Sequence, residues 1–371
     1  MKLTCNREKL LSAFQTVQSV APSRSPKPIL QNVKLEVGDA GATLSATDLE
    51  IGVRRQFEID NVDAGGSAVL PVARLGSILR ESSDEMITLE ADSGGTLIKG
   101  QRSEFRLPGA NPDEFPQVAE FSAEKYHELP ARLLRELVRR TVFATDAESS
   151  RYALGGVLIE LTADAITAVG TDGRRLATMT GPANSVGGHE TGENTTIVPA
   201  KAMTLIERSL ADTDVEARLA ARGNDLLMHC ENVTVFTRLV EGRFPKWREV
   251  FPRRDSALEM DIAIGPFHHA VRQAAILTSD DSRGVDFRFA AGTLTLSSRA
   301  PEAGESRIEL PVPYDGPDVS IKLDPRFLND FLRVLDPEKS VKVEIQDSES
   351  AVVCTTDDNY RYVIMPLAGE R

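Results

Sequence analysis

The sequence predicts an α+β protein of three similar domains, each with antiparallel sheet and two helices. One plan of helix, strands, helix and strands is written three times, and the stretches between helices have strand-like alternation of apolar and polar residues. At 371 residues the chain is too long for one hydrophobic core and fits three domains of about 120 residues. Joined end to end, such units form a ring or an arc with sheets outside and helices inside.

The first helix of each predicted domain is amphipathic, with apolar residues at helical spacing. These helices are predicted at 7–19, 130–143 and 265–277, and they begin roughly 125 to 135 residues apart. The second helices are predicted at 72–81, 199–210 and 324–335. Each second helix has a proline at or next to its first turn, where the missing N–H costs no hydrogen bond.

Between the helices the sequence reads as strands, most clearly in the first domain. Strands are predicted there at 32–37, 42–46, 51–59, 86–91, 96–100 and 105–107, around turns rich in glycine. Polar stretches at 121–129 and 251–260 are predicted linkers, and 184–194 is a predicted flexible loop. The predicted domains are therefore 1–122, 128–253 and 256–371.

Composition argues against several classes of protein. No apolar run approaches the roughly 18 residues that a membrane-spanning helix needs. The N-terminal stretch carries charges where a signal peptide would be apolar, so we expect a cytoplasmic protein without a membrane partner. Cys5, Cys230 and Cys354 are far apart and lack CxxC spacing, which predicts neither a disulfide framework nor a zinc site.

Motifs of catalysis are nearly absent. The sequence has no GxxxxGK[ST] phosphate loop, no HExxH zinc helix and no GxSxG nucleophile elbow. This favours a binding or scaffold protein, without cofactor or metal, over an enzyme. The catalytic alternative is a site built from Asp172, Arg174 and Arg175 beside His229, which lacks a pair of nucleophile and base.

The charges are unevenly distributed. The net charge of −13 argues against DNA binding as a bulk average, because neutralising phosphates requires lysine and arginine. In the predicted helix 130–143, however, Arg132, Arg135 and Arg139 recur at i, i+3 and i+7 opposite an apolar face. Similar pairs on the other helices are Arg74 with Arg80, Lys201 with Arg208, Arg326 with Arg333, and His268 with Arg272. Basic stripes on most helices of an acidic protein indicate that DNA is admitted only to a surface lined by helices.

Eight segments, in order along the chain, carry a resemblance. They are PILQNVKLE at 28–36, LSATDLEIGV at 44–53, RYALGGVLIE at 151–160, VGTDGRRLA at 169–177, IVPAKAM at 197–203, LVEGRFPKWREVFP at 239–252, AAILTSDDSRGV at 274–285 and YVIMPLAGER at 362–371. One hexamer such as TDGRRL arises by chance, but eight ordered matches are highly specific. Through them the chain resembles the bacterial DNA polymerase III β sliding clamp family over essentially its whole length.

The resemblance implies a DNA clamp fold and a non-catalytic processivity factor of the replicative polymerase. The family forms a head-to-tail homodimer, a closed ring that surrounds duplex DNA and slides without reading the bases. The implied partners are double-stranded DNA, a second copy of the chain, replicative and other DNA polymerases, the clamp loader and mismatch repair proteins. The polymerases and other proteins are expected to bind through short peptide motifs.

Three sets of site residues follow from the resemblance, together with the basic stripe described above. The expected DNA-binding residues are Arg24, Lys27, Arg80, Arg132, Arg135, Arg139, Arg151, Tyr152 and Lys201. The expected dimer interface pairs Arg74, Leu75, Phe105 and Leu107 of one copy with Ile276 and Leu277 of the other. The expected peptide pocket is walled by Leu154, Thr171, Gly173, Arg174, Arg175, Leu176, Pro245, Val250, Val363, Met365, Pro366 and Leu367. Arg174 stands where many family members have histidine, which leaves the preferred peptide sequence open.

A monomeric three-domain adaptor that binds peptides but never encloses DNA is the alternative function. The basic stripes argue against it, because a pure peptide binder does not need them. Size in solution and retention on circular but not linear DNA distinguish the two hypotheses.

Overall fold

The computed structural model describes residues 1–38, 41–146, 152–193, 195–252, 258–279 and 282–367. The helices within these residues are α1 Arg7–Gln18, α2 Val72–Glu81, α3 Ala131–Thr141, α4 Ala200–Ser209, α5 Ile264–Ala274 and α6 Pro325–Arg333. Each lies where a helix was predicted, and the ends differ from the predicted ones by three residues at most.

Antiparallel strands make up most of the remaining regular structure. In chain order they are β1 Lys2–Asn6, β2 Asn32–Gly38, β3 Gly41–Thr47, β4 Ile51–Phe57, β5 Asn61–Ala64, β6 Gly66–Pro71, β7 Met86–Asp92, β8 Gly95–Lys99, β9 Glu104–Leu107, β10 Tyr126–Pro130, β11 Gly156–Leu161, β12 Ala165–Thr171, β13 Arg175–Pro182, β14 Asn184–Val186, β15 Ile197–Pro199, β16 Glu216–Arg222, β17 Asp225–Cys230, β18 Val233–Arg238, β19 Leu258–Ala263, β20 Val285–Ala290, β21 Thr293–Ala300, β22 Gly304–Pro311, β23 Val319–Leu323, β24 Ser340–Ile345, β25 Val352–Thr355 and β26 Tyr360–Ile364.

The chain forms two compact units, and the first contains Met1–Arg135, Ala183–Glu190 and Lys201–Leu239. Its smaller sheet has the strand order β5-β1-β7-β8-β9, and its larger sheet has the order β14-β10-β16-β17-β18-β4-β3-β2-β6. In the larger sheet Val53 of β4 lies opposite Val235 of β18. Backbone hydrogen bonding thus continues from the predicted first domain into strands of the predicted central domain.

The second unit contains Glu136–Pro182, Thr191–Ala200 and Val240–Arg371. Its larger sheet has the order β15-β11-β12-β13-β26-β25-β24-β19, and its smaller sheet has the order β22-β21-β20-β23. Leu176 of β13 lies opposite Val363 of β26. This pairing joins a strand of the predicted central domain to β26, the last of the described strands.

Apolar spacing and capping explain why the helices form where they do. Helix α1 buries Leu10, Phe14 and Val17, which recur at i, i+4 and i+7 and therefore lie on one face. The Asn6 side chain accepts hydrogen bonds from the backbone N–H groups of the first helical turn and so caps it. Asp324 caps α6 in the same way, at 3.0 Å from the N–H of Arg326.

The two predicted linkers and the predicted loop are wrong in part. Strand β10 begins at Tyr126 inside the predicted linker 121–129, and β14 pairs with it inside the predicted loop 184–194. The first linker was predicted from its polar residues. In the structure β10 lies between β14 and β16, and its polar residue His127 is fully buried. In the second predicted linker β19 begins at Leu258, whereas residues 253–257 lie outside the described residues.

Candidate functional site

The twelve residues of the predicted peptide pocket all belong to the second unit. They come from the turn between β12 and β13, the segment around the short helix Trp247–Val250, the end of β26, and the short helix Tyr152–Leu154. Because β13 pairs with β26, the turn and the residues after β26 meet, and the N–H of Met365 donates to the carbonyl of Arg174 at 2.8 Å.

Side chains of the turn 171–175 fix its shape. The Thr171 hydroxyl donates to the carbonyl of Arg175 at 2.6 Å and accepts from the N–H of Gly173 at 3.1 Å. The Asp172 carboxylate accepts from the N–H groups of Arg174 and Arg175 at 2.9 and 3.0 Å. Gly173 has a φ of +86°, in the left-handed region that glycine adopts without steric cost. The side chain of Arg174 is left exposed at the tip.

Arg175 braces this turn from within the unit. Its guanidinium pairs with Asp172 at 3.0 Å and with Asp330 of α6 at 2.8 Å, and donates to the carbonyl of Phe143 at 2.7 Å. It also stacks over the rings of Phe143 and Phe327. Only 9% of the Arg175 side chain is exposed. Its positive charge is therefore neutralised inside the unit, and the exposed arginine of the turn is Arg174.

An apolar cluster forms the floor beside the turn. Leu176 and Val363, 2% and 1% exposed, pack in one cluster with Phe244 and Trp247. Val250 and Met365 stand out at 41% and 43% exposure. Among the other predicted pocket residues, Leu154 and Thr171 are buried, and Gly173 and Pro245 are exposed. Pro366 and Leu367 are half-buried.

Trp247 belongs to the apolar cluster beside the predicted pocket, and sequence reasoning missed it. It is the one tryptophan of the chain and lies between Pro245 and Val250, which were both predicted. Its ring packs at right angles to Phe251, with centroids 6.2 Å apart, and lies under the guanidinium of Arg248. A single large aromatic residue inside a segment that carried the resemblance was the available signal.

The first unit contains a second copy of this turn, at 47–51. The Thr47 hydroxyl donates to the carbonyl of Ile51 at 2.8 Å and accepts from the N–H of Leu49 at 2.9 Å. The Asp48 carboxylate accepts from the N–H groups of Glu50 and Ile51 at 3.1 and 2.8 Å. The N–H of Arg238 donates to the carbonyl of Glu50 at 2.9 Å, as that of Met365 does in the second unit. The repeat thus extends to individual hydrogen bonds.

The sheet residues beside this second copy are small or polar. Gly52 takes the place that Leu176 holds in the second unit, and a Cβ there would lie 2.7 Å from Val118, which fills the space. Lys34 and Ser45 hold the sheet positions that correspond to Leu158 and Val169. The turn is repeated, therefore, but the apolar cluster of Leu176 and Val363 lies beside only one of the two turns described.

Three predicted DNA-binding residues are exposed and have no counter-ion among the described residues. Arg24, Lys27 and Arg80 are exposed, and none forms an ion pair with a described residue. Arg151 lies outside the described residues, and the side chain of Tyr152 is likewise not described. These two predictions stay untested by the structure.

The remaining predicted DNA-binding residues are paired with carboxylates. Arg132 lies 2.7 Å from Asp214, and Arg135 lies 3.7 Å from Asp212. Arg139 binds Glu136 at 2.8 Å and the carbonyl of Val334 at 3.0 Å. Lys201 lies 2.6 Å from Asp48. The stripes predicted from helical spacing are therefore partly neutralised by neighbours that the sequence pattern did not indicate.

Helices α1 and α4 meet in the first unit, and small cavities open between them. A cavity of about 260 Å³ is lined by Ser19, Ile51, Lys201 and Arg208, and one of about 280 Å³ continues along Ser12 and Arg208. The exposed Arg208 was recognised as part of a stripe but was not among the predicted DNA-binding residues. Its i, i+7 spacing from Lys201 on α4 was the signal that could have included it.

The predicted dimer residues divide into exposed and buried ones. Ile276 is 74% exposed and Phe105 is 39% exposed, and Arg74 is also exposed. Leu75 and Leu107 are buried at 0% and 6%, so their side chains belong to the core of the first unit and not to its surface. Leu277 is half-buried, and a Cβ at Gly304, at the start of β22, would lie 3.8 Å from its Cδ1 atom.

Asp172 and Arg175, two groups of the catalytic alternative, are engaged with each other in the turn. Both oxygens of the Asp172 carboxylate accept hydrogen bonds within the turn. Burial lowers the pKa of His229, and burial raises the pKa of Cys5 and of Cys354 to about 12, so these thiols stay protonated at neutral pH.

Among the described residues no group of three histidine, cysteine or acidic side chains could hold a metal ion. In the described part of the chain no helix is both long and apolar enough to cross a membrane.

Three family models match the chain in order. The model described as the DNA polymerase III beta subunit, N-terminal domain, matches residues 1–119. The models of the central and the C-terminal domain of the same subunit match residues 128–246 and 248–368.

Curated relatives and solved structures match over the full length. A beta sliding clamp from Pseudomonas putida is 30% identical, covering 99% of this chain and 100% of the relative. The beta sliding clamp of Escherichia coli K12 is 29% identical with the same coverage. A crystal structure of the sliding clamp from Pseudomonas aeruginosa has a TM-score of 0.92 at 28% identity, covering 100% of both chains. The sliding clamp structure from Bacillus subtilis also has a TM-score of 0.92, at 24% identity, and covers 100% of both chains, which supports the same fold.

Proposed function

We propose that this chain, which belongs to the DNA polymerase III beta subunit family, acts as a DNA sliding clamp, the processivity factor of the replicative polymerase. The observation that carries this proposal is the ordered match of all three domain models across residues 1–368. In this role two copies form a head-to-tail ring around duplex DNA in the cytoplasm. The ring performs no covalent chemistry and keeps the polymerase attached by enclosing its template.

The ring closes, in this proposal, through the first unit of one copy and the second unit of another. Phe105 lies on β9, an edge strand of its sheet, and its exposed ring and unpaired backbone offer a surface for association. Ile276 and Leu277 lie beside β22, which is also an edge strand. Arg74 borders the first surface, whereas Leu75 and Leu107 support it from the core.

DNA binding, in this proposal, uses the exposed cations of the helices and their flanking loops. Arg24, Lys27 and Arg80 are available at once, while Arg132 and Lys201 must exchange a carboxylate for a phosphate. Exposed ion pairs of this kind are worth about 0 to 1 kcal/mol, so the exchange costs little. Weak, replaceable contacts to phosphates suit a ring that slides without reading sequence.

Partner proteins are proposed to bind the apolar groove of the second unit. The floor of Leu176, Val363 and Trp247 suits apolar anchors of a short extended peptide. Met365 is exposed and adaptable, which suits several different partners. These partners include polymerases, the clamp loader and mismatch repair proteins.

Loading onto a nicked circular plasmid by a matched clamp loader, followed by cutting of the plasmid, tests the proposal. We expect the protein to co-migrate with circular DNA and to be released when the DNA is linearised, because only the closed circle retains a ring. Retention after cutting would indicate ordinary binding. A monomer in solution that binds peptides but not circular DNA would favour the adaptor.

A further inference from the structure

Two exposed arginines border the apolar floor of the proposed peptide groove. Arg174 lies at the tip of the turn, beside Met365, whose N–H donates to its carbonyl. Arg361 lies on β26 and stacks over the ring of Phe251, with its guanidinium carbon 3.8 Å from the ring centroid. Val363 lies between the two along the strand. The groove is therefore apolar in the middle and positively charged at both ends.

The spacing of the two charges follows from strand geometry. Arg361, Val363 and Met365 occupy every second position along β26 and its continuation, so they point to the same side of the sheet. At about 3.3 Å per residue, the four steps from Arg361 to Met365 span about 13 Å. An extended peptide that runs along this strand covers the same distance in four residues.

Neighbouring carboxylates do not neutralise these arginines. In the turn Asp172 is bonded to Arg175, and Glu249 of the adjoining segment pairs with Lys246 at 3.2 Å. Glu160 on β11 pairs with Arg248 at 2.7 Å. Within the described residues, neither Arg174 nor Arg361 forms an ion pair.

The second copy of the turn, at 47–51, carries the opposite charge at its tip. Its tip carries Glu50 where the second unit has Arg174, and Leu49 where the second unit has Gly173. Arg238 lies 3.8 Å from Glu50, so the charge at that tip is already paired. The unpaired positive charge is therefore a property of the groove in the second unit and not of the repeated turn.

We propose that this groove selects short peptides that carry an acidic residue on each side of an apolar anchor, with the two acidic residues four positions apart. This inference rests on the proposed peptide-binding function and specifies its ligand. The apolar residues bind over Leu176 and Val363, and the two carboxylates bind Arg174 and Arg361. In an extended peptide, side chains at i, i+2 and i+4 face the same way, so both acidic groups and the central anchor reach the protein together.

Binding of two labelled peptides to the full-length chain tests this proposal. The first is Glu-Leu-Leu-Leu-Glu with blocked ends, and the second has glutamine in place of both glutamates. By fluorescence polarisation at low salt we expect the acidic peptide to bind about threefold to tenfold more tightly, since each exposed ion pair contributes up to about a fivefold effect. The advantage should shrink as salt is added.

Variants of the chain locate the effect. Arg174→Gln with Arg361→Gln should abolish the preference, so that the acidic and the glutamine peptide bind this double variant with equal affinity, because the charge-dependent part of the binding is lost. Arg361→Lys keeps the positive charge, so this variant should retain the charge-dependent part of the affinity for the acidic peptide. Arg222→Gln, which removes an exposed arginine of the first unit paired with Asp225, is the matched control and should have no effect.

Each outcome supports or overturns the proposal. Equal binding of both peptides by the natural chain would refute acidic selection and leave the peptide groove intact. A preference that persists in the double variant would assign the selection to other residues and would also refute it. Binding of neither peptide would overturn the groove itself, and with it the peptide-binding part of the proposed function.

Discussion

Leu49 and Gly173 occupy the same position in two copies of one turn, and both have positive φ angles, +81° and +86°. A leucine in this region is strained by the contact of its Cβ with the backbone, whereas glycine is not. Because the hydrogen bonds around the two residues are alike, the turn itself imposes the conformation on both. The rest of the first unit stabilises Leu49 in spite of its strain.

Replacing Gly173 by alanine isolates the effect of this backbone conformation. A Cβ at Gly173 meets no atom within 4 Å, so Gly173→Ala adds strain without a steric clash. We expect a loss of about 1 kcal/mol in the free energy of unfolding, measured as a lower Tm. Gly38→Ala is the control, because that glycine also has free space around it and lacks a positive φ. Equal Tm values for the two variants would contradict this reading of the turn.

Asp358 gives the second prediction at this scale, for the dependence of stability on pH. Burial raises its pKa, but the Thr356 hydroxyl and the Arg140 guanidinium, 2.6 Å away, outweigh burial and hold the pKa below the ordinary value of 3.8. A carboxyl with a lowered pKa in the folded state stabilises the protein above its unfolded-state pKa and loses that contribution as the pH falls through the folded value. We therefore expect acidification below about pH 4 to remove this contribution.

The comparison that checks this is Asp358→Asn. At pH 7 the variant should have the lower Tm, by an amount corresponding to less than about 1 kcal/mol because the side chain is partly exposed. As the pH falls from 5 to 2, the difference in Tm between the variant and the natural chain should narrow. A difference that stays constant over this range would exclude the ion pair with Arg140 as its cause.

At the scale of elements, Arg175 connects β13 to α6. We predict that removing it lowers the stability of the protein more than Asp358→Asn does. Arg175→Ala leaves the Asp172 and Asp330 carboxylates without their buried partner, which costs about 3 kcal/mol or more in comparable cases. We expect a markedly lower Tm. Arg174→Ala, one residue earlier and exposed, should leave the Tm unchanged. If both variants had the same Tm, Arg175 would not be the brace that its contacts indicate.

The acidic residues beside α3 give a prediction for DNA binding by an element. Asp214 and Asp212 pair with Arg132 and Arg135, so they compete with phosphates for the same guanidinium groups. Replacing both with asparagine should strengthen binding to duplex DNA at low salt, while Arg132→Gln with Arg135→Gln should weaken it. The slope of log K against log salt should become shallower by about 1 for each phosphate contact that is lost. Unchanged salt slopes in both double variants would exclude α3 from the DNA surface.

The helices were predictable from the sequence because an amphipathic pattern repeats every 3.6 residues and needs no distant information. The partners of their charges were not, since Asp214 lies some distance along the chain from Arg132, and only the fold brings them together. Strand β10 was missed because its buried histidine was taken for an exposed polar residue, and β1 was missed because its alternation covers only the five residues Lys2–Asn6. The apolar floor of the groove was predicted in part, but the burial of Arg175 was not, since an arginine in a turn is ordinarily exposed.

At the scale of the whole chain, the two large sheets cross the predicted domain boundaries. Backbone pairing of β4 with β18 and of β13 with β26 means that the central domain contributes strands to both units. The boundaries 1–122, 128–253 and 256–371 stay a prediction, because the family models and the compact units divide the chain differently. The turn is repeated at 47–51 and 171–175, down to its hydrogen bonds, which relates the predicted first domain to the predicted central one.

Ile276 gives the prediction that tests assembly of the whole molecule. At 74% exposure it is the most exposed large apolar side chain among the described residues, so Ile276→Asp should not disturb the fold of its own unit. In the proposed dimer the new carboxylate would be buried without a partner, which costs several kcal/mol. We expect the natural chain to sediment as a dimer and the variant as a monomer with an unchanged Tm for its units. Val215→Asp, at an apolar residue 39% exposed in the first unit, is the control and should remain dimeric. Dimers of the Ile276→Asp variant would move the interface away from β22, whereas a monomeric natural chain would favour the adaptor over the clamp.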